Sequence, residues 1–237
     1  MANSSVLEIV KSFAREYALP PPAIIQGGGD AGALQLRELL TTVGEFIWEK
    51  TNWQECSIRA TWTSVAGEDQ GAINTLFPRE FAHIVPETFW NLTSRIKFTG
   101  PVLDANWQNQ KALMGMSPLY RFKIYGGRLY VTQTMPAGHQ LSLFYKSRSW
   151  ITDGVDLKPA FTADTDYSVF SDRLMKLGLR AFWLRIKQMP HRFEMEQFED
   201  AVAAEGSINT LRPILSLDDG VMPTYGIAIP LGGWTVP

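Results

Sequence analysis

The sequence predicts an α+β fold. A helical bundle is formed by N- and C-terminal helices, an antiparallel β domain is inserted between them, and an extended C-terminal tail follows. Three observations predict it. Apolar residues recur at helical spacing near both ends of the 237-residue chain. Between them the period falls to two, with turn residues separating short runs. From residue 207 onward, prolines and glycines interrupt an almost uncharged run. The expected divisions are 1–52 for the first bundle helices, 53–163 for the β domain, 164–206 for the last helices and 207–237 for the tail.

Val6, Ile9, Val10, Phe13 and Tyr17 fall on one helix face, with Ser4 or Ser5 as N-cap. Pro20-Pro21-Pro22 stops this helix. Leu36, Leu39, Leu40, Val43 and Ile47 mark a second helix over about 33–50, and the two stripes are expected to pack together.

Alternation then begins. Cys56, Ile58, Ala60 and Trp62 oppose Ser57, Arg59, Thr61 and Thr63, as in a strand with one wet face. Further strands are expected at 88–92, 95–99, 119–125, 128–133 and 140–147. Gly126-Gly127 is a two-residue hairpin loop, and Pro136-Ala137-Gly138-His139 turns the next pair. Asp104 caps a short helix reaching Leu113. Short hairpins and half-wet strands specify an antiparallel sheet.

The helical period returns near residue 164. Phe170, Leu174, Leu177, Ala181 and Leu184 mark one face, and Met175, Leu179, Phe182 and Ile186 another, so this helix is buried on two sides. A last helix over about 193–205 is acidic outside and carries Met195, Phe198 and Val202 inside, with Gly206 expected just past its end.

Composition narrows the function. Charged residues are 19% and the net charge is −2, which excludes a strongly basic nucleic-acid binder as the bulk character. A single cysteine, Cys56, excludes an intramolecular disulfide framework and a thiolate zinc cluster. Aromatic residues reach 12%; with so few charges, some rings are expected to meet another chain. Neither a secretory leader nor a membrane-spanning helix is expected.

The motifs offer little chemistry. Gly27-Gly28-Gly29-Asp30-Ala31-Gly32 has the G-x-G-x-x-G spacing of a dinucleotide site, which makes an NAD-type enzyme one alternative. The would-be strand before it is short and follows three prolines, so a glycine loop with Asp30 as helix cap is the favoured reading. His83, His139 and His191 lie far apart. Cys56 shares the alternating set of Ile58 and Trp62 and is expected in the core. Asp164 and Asp166 fit a turn better than half of a Ca²⁺ or Mg²⁺ site. No catalytic, metal-ligating or cofactor-binding residue is assigned, and no cofactor is expected. Trp90, Trp107 and Trp150 would serve a β-rich ligand-binding module if exposed.

One charge pattern is sharper. Arg173, Lys176, Arg180 and Lys187 fall within about a quarter of the helical wheel. Like charges so spaced repel unless something acidic faces them. The candidates are the acidic last helix, in the same chain or a neighbour, or DNA in a channel.

Several local runs, in order, resemble a known family. They are Leu19-Pro20-Pro21-Pro22, Leu39-Leu40 through Trp53, and Thr61-Trp62-Thr63-Ser64-Val65-Ala66-Gly67-Glu68. Phe77-Pro78-Arg79-Glu80-Phe81, Phe89-Trp90-Asn91-Leu92-Thr93 and Gly126-Gly127-Arg128-Leu129-Tyr130 follow. Then come Phe144-Tyr145-Lys146-Ser147 with Trp150, Phe161-Thr162-Ala163-Asp164-Thr165-Asp166 and Leu177-Gly178-Leu179. Over residues 5–206 the chain resembles the head-to-tail adaptor proteins of tailed bacteriophages, related to the tail tubular A type.

That resemblance implies a non-enzymatic structural protein of the virion neck. It implies a connector ring of about twelve copies, made in the host cytoplasm and bound between the portal and the tail nozzle protein. Tail fibres are a further attachment, and packaged DNA passes through the lumen without sequence-specific contacts. The tail, with Ile214, Leu215, Leu217, Tyr225, Ile227, Ile229 and Trp234, is expected to act as an arm docked on a partner, where alternate residues of a strand fill pockets.

Overall fold

The computed structural model of the protein describes residues 3–27, 30–112 and 120–209. The fold is α+β, with two hydrophobic cores, one among helices and one between antiparallel sheets.

Helix α1 (Val6–Glu16) begins at Ser5, whose hydroxyl accepts from the Glu8 amide while the Glu8 carboxylate accepts from the Ser5 amide. This reciprocal box satisfies two amides that the first turn would otherwise leave unpaired. Helix α2 (Ala31–Lys50) begins at Asp30, whose carboxylate accepts from the Gly32 amide. The stripes read from the sequence are the buried faces of both helices.

The first sheet is built on β8 (Gln140–Ser147). Strand β1 (Ser57–Thr63) pairs along one side of it, Ser57 opposite Lys146 and Thr63 opposite Gln140. Strands β3 (Phe81–Ile84) and β4 (Trp90–Asn91) share the other side, and β5 (Ile96–Lys97) pairs with β4. The second sheet runs β2 (Gly67–Ala72), β7 (Arg128–Met135), β6 (Phe122–Tyr125), with β6 and β7 joined through Gly126 and Gly127. Both glycines have positive φ, 56° and 69°, as a two-residue turn matching strand twist requires. Phe77, Phe89, Phe98, Phe122, Leu129, Val131, Leu141, Leu143 and Tyr145 fill the core between the sheets. The one-turn helix α3 (Ile73–Leu76) follows β2, and α4 (Asp104–Ala112) starts at Asp104 as expected.

Helices α5 (Asp172–Ile186) and α6 (Arg192–Asn209) pack back on α2. A Cβ on Gly178 of α5 would strike Val43 of α2 and Phe198 of α6, so three backbones converge there. Phe46 touches both Phe182 and Phe198. The chain start is tied in as well: Asn3 Nδ2 donates to the carbonyls of Ser168 (2.7 Å) and Phe170 (3.0 Å), and the Val6 amide donates to Asp166 O (2.8 Å).

Four details differ from the expectation. The strand pairs β9 (Ile151–Thr152) with β10 (Leu157–Lys158) and β9 with β11 (Tyr167–Ser168) carry Trp150, Ile151 and Phe161 into the helical core, so the residues expected at 53–163 are divided between the two cores. Two-residue strands are too short to show a period. Cys56 belongs to a 3-10 turn (Gln54–Cys56) and to the helical core, not to the face of Ile58 and Trp62. Gly206 lies inside α6, which runs on to Asn209. Its missing side chain makes room for Thr51, against which a Cβ would clash. Strand β2 is unforeseen because Gly-Glu-Asp-Gln-Gly-Ala has no apolar alternation. Its one buried side chain, Gln70, exchanges hydrogen bonds with the Val65 backbone and donates to Gly67 O.

Candidate interaction surfaces

Arg173, Lys176 and Arg180 lie on α5 and Lys187 caps its C-terminus, with differing surroundings. Arg173, Lys176 and Lys187 are exposed. Lys187 Nζ lies 4.6 Å from the centre of the Trp183 ring, a cation–π contact. Arg180 is half-buried and reaches Glu16 of α1 at 3.5 Å. The acidic α6 does not answer this face within the chain. Its Glu205 accepts from the Ser171 hydroxyl, Glu196 pairs with Arg192 on the same helix, and among the described residues no ion pair joins α5 to α6. Among the described residues, three cations of this face therefore stand exposed without a carboxylate partner.

A second surface has the opposite sign. Glu45 and Glu49 of α2, Glu80 before β3, Trp48, Arg148, Trp150 and Pro159 line a cavity of about 420 Å³. The Trp48 indole N–H donates to Ser147 O (2.9 Å), which fixes its ring in the wall. Among the described residues, neither Glu45, Glu49 nor Glu80 makes an ion pair.

The outer face of the first sheet is the third surface. Antiparallel partners share a face. Trp90 sits opposite Ser142 and Phe144 opposite Arg59, which places both rings outward, each 40% exposed. Arg59 Nε donates to the Ser142 hydroxyl (3.0 Å). The other two aromatics considered for a ligand platform are not exposed: Trp107 and Trp150 are buried, and Trp150 stacks on Phe170. Indoles of this size bury wherever the fold has room, and composition does not distinguish the two fates.

The remaining candidates resolve into structural contacts. Residues 23–25 form no strand, and the Asp30 carboxylate occupies the start of α2 where a dinucleotide would place its phosphates; Gly28 and Gly29 lie outside the described residues. The amides of Ile25 and Gln26 instead donate to the Asp164 carboxylate. Asp166 is fully buried and accepts from the amides of Thr162 (2.7 Å) and Ala163 (2.8 Å) and from Lys158 Nζ (3.1 Å). Burial alone would raise its pKa; those donors outweigh burial and hold the carboxyl below its ordinary value. The two aspartates thus anchor a turn. Among the described residues, no three His, Cys, Asp or Glu side chains are grouped to hold a metal ion.

Sequence reasoning missed the junction between the cores. Trp48, Trp53, Cys56, His83 and Lys146 line a cavity of about 220 Å³ there. Lys146 is only 4% exposed, and its ammonium donates to Trp53 O. Burial pulls the Lys146 pKa down, opposed by Cys56 and Glu55. Burial pushes the Cys56 thiol up to about 12, with Lys146 opposing and Glu55 adding. Lys146 shares the outer face of β8 with Ser142 and Phe144, so it keeps the alternation. Its burial comes from the junction covering that end of the strand, and the sequence carries no local signal for this site.

The proposed arm residues Ile214, Leu215, Leu217, Tyr225, Ile227, Ile229 and Trp234 lie outside the described residues. Among the described residues no helix is long and apolar enough to cross a membrane. No protein-family model matches the chain, and no curated protein matches it.

Proposed function

We propose that the protein is a structural virion component, a head-to-tail adaptor subunit that joins the portal to the tail nozzle in a ring around the DNA exit channel. The observation that carries this reading is the architecture. Helices from both ends of the chain close into one core, with an antiparallel β unit inserted between α2 and α5. The resemblance implies that order of elements. The exposed cationic face on α5 and the acidic cavity beside α2 give each copy two unlike surfaces, and a ring needs heterologous contacts. Electron microscopy of the purified chain, with and without the portal protein of the same virus, tests it. The expected outcome is a closed ring on the portal. A chain that stays monomeric with the portal and is absent from virions overturns it.

A ligand-binding module is the second reading, favoured by the outward Trp90 and Phe144. Glycan titration followed by tryptophan fluorescence tests it; an unchanged spectrum for every glycan tried removes it.

A further inference from the structure

The two charged surfaces lie on opposite flanks of the α2–α5 pair. Gly178 marks the side of α5 that faces α2, since a Cβ there would strike Val43. At about 100° per residue, Arg173, Lys176, Arg180 and Lys187 centre roughly 180° around α5 from Gly178. Their face therefore points away from α2. Val43 likewise marks the side of α2 that faces α5. Glu45 and Glu49 lie about 200° and 240° around α2 from it, and they point away from α5. One chain cannot bring these surfaces together, whereas a row of copies in a common orientation can.

We infer that copies of this chain associate head to tail, the Arg173 and Lys176 side of α5 in one copy seated on the Glu45, Glu49 and Glu80 side of the next. The inference rests on the adaptor reading and names the contact that reading leaves open. Charge complementarity is the first reason for choosing a second copy as the occupant. Among the described residues Arg173 and Lys176 are exposed without an acidic partner, and three glutamates without ion pairs line a cavity in which Arg148 is the single basic side chain, which leaves the lining net acidic. The cavity wall is the second reason. The half-buried Trp48 lines it, and an indole face attracts an ammonium or guanidinium. Arg180 is not part of the contact, because Glu16 already engages it. A contact between unlike surfaces propagates, and it closes into a ring when the rotation per copy fits.

Paired charge reversals test the contact in the full chain. Arg173→Glu with Lys176→Glu makes both surfaces acidic, and Glu45→Lys with Glu49→Lys makes both basic. Each double variant alone is expected to associate roughly tenfold or more weakly than the unaltered chain, measured by sedimentation velocity at low salt. An equal mixture is expected to recover association, because each copy then offers its neighbour the opposite sign. Unimpaired association of either variant, or a mixture that stays dissociated, overturns the inference. Lys176→Cys with Glu49→Cys supplies a readout independent of folding stability, since Cys56 is buried. Oxidation is expected to give a ladder of disulfide-linked oligomers, and monomer alone counts against the contact. Rings that form on the portal but ignore the reversals reject this contact and leave the adaptor reading standing. Self-association through the contact without portal binding does the reverse.

Discussion

Gly44 of α2 lies directly against the indole of Trp150, and a Cβ at that position would overlap the six-membered ring. Trp150 continues onto Phe161 and Phe170, at ring-centre distances of 5.5 and 5.7 Å. The glycine thus lets the residues after β8 enter the helical core. Gly44→Ala is expected to destabilise the protein by about 1–3 kcal/mol through overpacking, although alanine is the better helix former by about 1 kcal/mol. Urea denaturation measures the change. Adding Trp150→Leu should recover part of the loss, a coupling expected of touching residues. A more stable Gly44→Ala variant contradicts the packing.

Asp166→Asn tests the buried turn. The carboxylate is held by two amides, the Thr162 hydroxyl and Lys158. Removing its charge should cost about 3–5 kcal/mol at pH 7, as breaking a buried ion pair does. The folded pKa lies below the ordinary value. The stabilisation is therefore complete above the unfolded pKa of about 3.9 and is lost as pH falls through the folded pKa. The gap between variant and parent should close below about pH 4. A gap that stays constant into acid would show that the charge is not what matters.

The parts legible in the sequence are those with enough residues to reveal a period. The stripes of α1 and α2 and the ends of β8 could be read because each spans seven residues or more. The strands β9, β10 and β11 could not, having two residues each; β4 and β5 are as short but lie within longer apolar runs. Gly206 illustrates a second limit. A glycine that ends a helix and one that admits Thr51 look alike in one dimension. The charge pattern on α5 was visible, but the Glu16 partner of Arg180 was not. That pair depends on how α1 lies across α5, which no local spacing encodes. The glutamate cavity joins α2 to a loop more than thirty residues later (Glu49 to Glu80), so it emerges only with the tertiary fold.

Lys146→Met probes the buried ammonium. Among the described residues its carbonyl partner is Trp53, and burial lowers its pKa. The parent chain therefore gains stability as pH rises from the folded pKa toward the unfolded value of about 10.4. An apolar side chain of similar length removes the desolvation cost, so the variant should be more stable at pH 7 by about 1 kcal/mol. That advantage should shrink toward pH 10. Thermal melts at both pH values decide, and a variant less stable at pH 7 would show that the bond to Trp53 outweighs the cost of burying the charge.

Cys56 should resist thiol reagents in the folded protein. With its pKa pushed up to about 12 and its side chain buried, the reactive thiolate is scarce near pH 8. Labelling with a chromogenic disulfide should be slow in buffer and fast in denaturing urea. Rapid labelling of the native chain would mean that the junction between the cores opens readily.

The ties between Asn3 and the backbone at Ser168 and Phe170 have a consequence for synthesis on the ribosome. Every residue of the β core lies between Ala60 and Tyr145, so that core can close while the chain is still growing. The helical core spans Val6 to Val202 and cannot close until α6 has left the exit tunnel. Until then the apolar stripes of α1 and α2 are exposed in the nascent chain, where they invite chaperones or premature contacts with other copies. The helical core thus depends on contacts made across nearly the whole described chain, whereas the β core does not.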